Sequence, residues 1–251
     1  EGQSLNNYKQ KPFIPAIQKT STLLILSIVA LFAFIISLNS TIVEVSSSYD
    51  TKVEAAYLME QSMNILKTNR MVSGIFIDDE NDPNETGLVG SPFSLITTDE
   101  GDLDAKLTTL DPNFSAGMVE LMVQIGLEKN DTVAVLVTGS MPGGNIAVLT
   151  ALKALGVNPV VITSVGASQW GANHTDFTWL DMEKILYKAG LIPNRSIAAS
   201  IGGRNDMGRL LSPEGRNIIN TNIAKHGLPL IKKNKLADNI DHRMELFKNI
   251  T

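Results

Sequence analysis

The chain has 251 residues, with 21 Lys and Arg against 26 Asp and Glu, no Cys and three His. The lack of Cys excludes disulfides, Cys-ligated zinc and thiol catalysis. A net charge of −5 with no basic patch argues against nucleic acid as a partner. No two His have the spacing of a helical zinc site, so neither a metal nor a cofactor is expected. The hydrophobic fraction of 43% is ordinary for a folded domain.

The first element is an uncharged run from Thr20 to Val43, between Lys19 and Glu44. Roughly 20 mainly apolar residues suffice to cross a bilayer. Ser27 and Ser37 are tolerated there because a Ser hydroxyl can bond the preceding helical turn. The run is apolar all round, unlike an amphipathic core helix, and longer than the apolar region of a cleaved signal peptide. It reads as a retained anchor that meets the lipid bilayer through residues 20–43. Lys9, Lys11 and Lys19 precede it, and an excess of Lys marks the cytoplasmic side. The expected layout is a cytoplasmic tail over 1–19, a single-pass helix over 20–43, a helical stalk over 44–72 and an extracytoplasmic domain over 73–251. The chain opens on Glu1 rather than Met, which leaves residues upstream open.

Beyond the anchor, periodicity predicts a helix over 49–72 and an irregular stretch over 73–112 rich in Asp, Asn, Pro, Gly and Thr. Phe114–Ile125 is an amphipathic helix. Thr132–Val137 is an apolar run suited to a buried strand. Asn145–Leu155 is a helix closed by Gly156. Pro159–Ser164 is a strand, Leu180–Ala189 a helix closed by Gly190, and Ser196–Ile201 a strand ended by Gly202 and Gly203. Pro213–Lys225 is a helix with Ser212 as cap. Leu228–Ile231 is a short strand and Ala237–Ile250 the last helix. Alternating strands and helices predict an α/β, Rossmann-like domain, with a mainly parallel sheet covered by helices on both faces. The loops after the strands then gather at one edge, beyond the strands' carboxyl ends.

Three segments fall on that edge. Thr138–Asn145 joins a strand to a helix. It is open to three readings: a tight structural turn, an anion-binding turn at a helix start, or a turn presenting Ser140 as nucleophile. It lacks the glycines of a nucleophile elbow and the Gly-Lys-Ser/Thr of a P-loop. Val165–Asn173 sets Trp170 in a small-residue loop, as a pocket wall or as packing over the sheet edge. Asp176 follows, ahead of a helix whose Asp181 and Glu183 suit the helix dipole. Gly202–Arg209 offers two Arg with the fork that pairs with carboxylates, or an internal Arg–Asp pair. The ligand set is Gly139, Ser140, Asn145, Ser168, Trp170, Asn173, Arg204, Asp206 and Arg209. The catalytic candidates are Ser140, Ser168, His174 and Asp176, with His174 as the base because its ordinary pKa of about 6.5 suits that role. Ile96–Thr98 and Ala105–Thr109, with Lys106, are candidates to face the same edge. The acidic cluster Asp78–Glu85 is read as a solvated loop, because Pro83 stands where a calcium loop needs Gly.

The segments Asp82–Gly90, Ile96–Thr98, Asp111–Phe114, Ser164–Asn173 and Phe177–Glu183, with Gly202, Gly203, Asp206 and Gly208, together resemble one family, the poly-gamma-glutamate system proteins, found beside genes for poly-γ-glutamate capsule synthesis. The resemblance covers roughly residues 50–247, with an anchor of the same kind before it. The chain departs from the family pattern at Met141–Gly144 and at Arg204, Asn205 and Leu210. The resemblance implies a membrane-anchored accessory protein of anionic polymer synthesis or export, binding the polymer or the other membrane subunits of the system. The alternative is a hydrolase or transferase acting on that polymer through a Ser nucleophile.

Overall fold

A computed structural model describes residues 15, 17, 19–40 and 45–250. Lys9, Lys11, Glu44 and the end of the expected membrane run, 41–43, lie outside the described residues. The chain divides into two units, 1–46 and 47–251. The first holds α1 (Thr20–Asn39), in which no residue is buried. By length and composition α1 is able to cross a membrane.

The second unit orders its elements as α2 (Tyr49–Val72), α3 (Leu103–Thr108), α4 (Asn113–Gln124), β1 (Thr132–Thr138), α5 (Pro142–Leu155) and β2 (Asn158–Ser164). A small hairpin of β3 (Asn173–His174) and β4 (Phe177–Thr178) follows. Then come α6 (Trp179–Lys188), β5 (Ser196–Ser200), α7 (Pro213–Lys225), β6 (Leu230–Ile231) and α8 (Leu236–Lys248). The main sheet is parallel throughout, in the order β1-β2-β5-β6. It is a mixed α/β fold, as the alternating pattern predicts.

Both faces of the sheet carry helices, as expected, but unevenly. The strand order follows the sequence and never reverses. Crossovers of one hand then put every linking helix on the same face. On that face Val135, Val137 and Val161 meet Ile146, Leu149 and Leu152 of α5 and Met182 and Leu186 of α6. Ala199 and Ile201 meet Ile219 and Ile223 of α7. Among the described residues the opposite face has only α8, which seats Phe247 on Val160, Ile162, Ala198 and Ile231. Beyond its reach Leu136 of β1 stays exposed.

The segment read as a stalk also differs. Ala55, Met59 and Leu66 of α2 are fully buried, and α2 packs with α4 and α5 as a further helical layer. Its Arg70 reaches out and donates to the carbonyl oxygens of Phe76, Gly87 and Val89. That clamps the irregular stretch to the helix. Within that stretch Asp82 is fully buried rather than solvated. It accepts from the Thr86 hydroxyl and the Gly87 N–H, closing the turn from inside. No cluster of three or more metal-ligating side chains occurs among the described residues.

Candidate functional site

The carboxyl ends of the four strands bring together the loops after β1, β2, β5 and β6. Two sets of side chains stand out along this edge.

The first lies beyond β1 and β2. The β1 loop leaves through Gly139, whose N–H donates to Ser164 and whose carbonyl accepts from Ala172. A Cβ on Gly139 would stand 2.4 Å from the Val165 oxygen, so only glycine lets the two loops approach this closely. Ser140 and Ser168 then meet: the Ser168 N–H donates to Ser140 Oγ at 3.0 Å. Above them sits α3, which the sequence reading did not resolve as a helix. Asp102 caps it by accepting from the Ala105 N–H. The helix points Lys106 inward, 5% exposed. Its Nζ lies 2.8 Å from Ser168 Oγ and 2.5 Å from the Ser140 carbonyl oxygen. Burial pushes the Lys106 pKa down and outweighs the Asp102 carboxylate, which pushes the other way. Ser140 and Ser168 themselves are half-buried.

The other residues predicted for these loops lie elsewhere or are engaged. Asn145 turns back and donates to the Thr138 carbonyl. Asn173 is fully buried and clamps Ser91, accepting from its N–H and donating to its carbonyl and to Thr97 Oγ1. Trp170 adopts a left-handed backbone (φ 62). Its main chain is held on the 90–91 segment, while its ring packs partly buried on the core. His174 accepts at Nδ1 from the Asp176 N–H and lines a separate cavity with Arg70, Phe76 and Ser91. Burial lowers its pKa. Neither His174 nor Asp176 hydrogen-bonds Ser140 or Ser168.

The second set lies beyond β5 and β6. Asn205 and Asp206 both have left-handed backbones (φ 57 and 59), each costing on the order of 1–3 kcal/mol. The tight turn aims Asp206 inward, to Ser200 Oγ at 2.6 Å and to Arg243 of α8 at 2.6 Å. Arg243 also donates to Ser200 Oγ. The internal Arg–Asp pair therefore exists, but its cation comes from the last helix. Arg204 and Arg209 stay exposed, with no side-chain partner among the described residues. Lys232, Lys233 and Lys235, in the loop after β6, are exposed at the same edge. Two cavities of about 440 Å³ flank this edge. One is lined by Asp206, Arg216 and Lys232 among others, the other by Thr138, Gly203, Asn205 and Arg243.

Sequence reading missed the β6 loop; it placed Lys106 at this edge, where the structure has it, but not as the partner of Ser168. The rule that gathered the other loops applies equally to Lys232-Lys233-Asn234-Lys235, which follows the fourth strand. The helix carrying Lys106 is too short for periodicity to show.

The chain is thus an α/β domain with a polar, locally basic carboxyl edge, preceded by one apolar helix. No family model matches it, and no curated protein or solved structure shows significant similarity to it.

Proposed function

We propose that the chain is a membrane-anchored accessory protein of an anionic polymer system of the poly-γ-glutamate class, binding the polymer along the carboxyl edge of its sheet outside the cytoplasm. The observation that carries this reading is the charge arrangement beyond β5 and β6. Asp206 is already neutralised by Arg243, so Arg204, Arg209, Lys232, Lys233 and Lys235 give the edge a positive surplus on a chain of net charge −5. Such a surplus attracts a polyanion, and an Arg fork suits a carboxylate. The flanking Lys9, Lys11 and Lys19 support a cytoplasmic N-terminus, and the segments resembling poly-gamma-glutamate system proteins support the choice of polymer.

Calorimetric titration of the full chain in detergent with oligo-γ-glutamate tests the binding. Arg204→Ala weakens it by about 1.5–3 kcal/mol, the scale of hydrogen bonds to charged groups, and Lys232→Glu weakens it further. Equal affinity in wild type and variants, or tighter binding of single-stranded DNA than of the oligomer, would sink the reading.

A further inference from the structure

We infer that Ser168 and Lys106 form a nucleophile–base pair, and that this edge carries out acyl transfer at an amide bond. The choice of a γ-glutamyl amide as substrate rests on the polymer reading above; the pair itself does not.

The geometry carries the inference. A lysine 5% exposed with its nitrogen 2.8 Å from a serine oxygen has the spacing of a nucleophile and its base. The Ser140 carbonyl takes one N–H of Lys106. In the neutral amine the lone pair is then available to the Ser168 hydroxyl proton. The Ser168 backbone is fixed in turn, because its N–H donates to Ser140 Oγ. Ser140 is therefore a positioning residue, holding the base through its carbonyl and the nucleophile through its hydroxyl. Among the described residues, the charged group that acts on Lys106 is the Asp102 carboxylate; the loops packed against it offer Ser140 and Ser168, which are uncharged. Burial favours the neutral amine, and so supports its role as a base. A lysine that acts as a base must give up its proton, which an arginine cannot do, and the test below exploits that difference.

The reaction balances without a cofactor. Ser168 Oγ bonds to the amide carbonyl carbon and its proton passes to Lys106 Nζ. The C–N bond breaks, and the departing amine takes that proton back. Water, or the amine of another chain, then attacks the Ser168 ester. Its proton returns through Lys106 to Ser168 Oγ, releasing a shortened or a transferred chain. In the sheet, β2, the strand that leads into Ser168, lies one strand spacing from β5 and two from β6, or about 5 Å and about 10 Å. A polymer held by the arginines and lysines can therefore extend over Ser168.

The test uses the full chain in detergent with two probes. With p-nitrophenyl acetate, the wild type gains a hydroxylamine-labile acetyl group that peptide mapping puts on Ser168. Its rate rises with pH and levels off below the ordinary lysine value of 10.5. Ser168→Ala removes the label. Lys106→Arg keeps the cation and its donors but cannot take a proton, and slows labelling at least about 100-fold, the scale of lost general-base catalysis. Ser168→Cys, which keeps a nucleophile and alters the site least, still acylates if the Arg variant fails to fold. No labile label on Ser168, or labelling of Lys106→Arg at the wild-type rate, overturns the pair. With oligo-γ-glutamate, chain lengths change in the wild type and not in Ser168→Ala. If Ser168 is labelled by the ester while the oligomer binds and stays intact, the pair stands and the γ-glutamyl substrate is wrong. If the oligomer does not bind at all, the polymer reading falls separately.

Discussion

Asp181 sits where α6 meets α7, and its carboxylate is saturated with donors. Oδ2 accepts from the Thr178 N–H and hydroxyl and from Asn222. Oδ1 accepts from Lys225 and from His226 Nε2. Arg195 lies 3.2 Å from His226 Nδ1, and Arg can only donate. Nδ1 is therefore the acceptor, and Nε2 donates to Asp181. Burial works against ionisation of Asp181, but the hydrogen bonds from His226, Thr178 and Lys225 outweigh it and hold the carboxyl well below its usual 3.8. Because the folded pKa is the lower one, the unfolded chain takes the proton first as pH falls. The contribution to stability is complete above pH 3.8 and lost below it. Asp181→Asn, which turns a donor toward donors, costs about 2–3 kcal/mol at neutral pH. In urea unfolding the gap between wild type and variant closes as pH drops below 3.8; a gap that stays constant with pH would contradict this account of Asp181.

At the scale of elements, most of the fold was legible where periodicity runs long. The helix over Pro213–Lys225 was readable from Ser212 and Pro213 because cap and first turn are local signals, and the cap does form, with Ser212 Oγ accepting from the Gly215 N–H. The strands were readable because Val133–Val137 and Pro159–Ile162 are unbroken apolar runs. Strand order was not readable, since it depends on which edge each new strand joins. That is why the uneven coverage, with α8 alone on one face and Leu136 exposed there, was not foreseen. The role of α2 was hidden for a similar reason. Ala55, Met59 and Leu66 show a buried stripe, but not whether another helix or the sheet fills it. At the site, Ser140, Ser168 and the Arg204 loop were visible as turn chemistry at strand ends. Lys106 comes from 62 residues away from Ser168 in sequence, on a helix of six residues, and only the tertiary fold makes it their neighbour.

At the scale of the whole molecule, one apolar helix and one α/β domain divide the work. On the proposed orientation, protease added to intact cells digests the domain, whereas protection until lysis would place it in the cytoplasm. The central claim is that the carboxyl edge of the sheet holds an anionic polymer. Hydrogen exchange of the full chain in detergent, with and without oligo-γ-glutamate, tests it without altering a residue. The account predicts added protection confined to the loops over 202–209 and 231–235, extending to 138–141 and 166–171 as the oligomer lengthens. Protection elsewhere with these loops unchanged, or no protection at saturating oligomer, would contradict it.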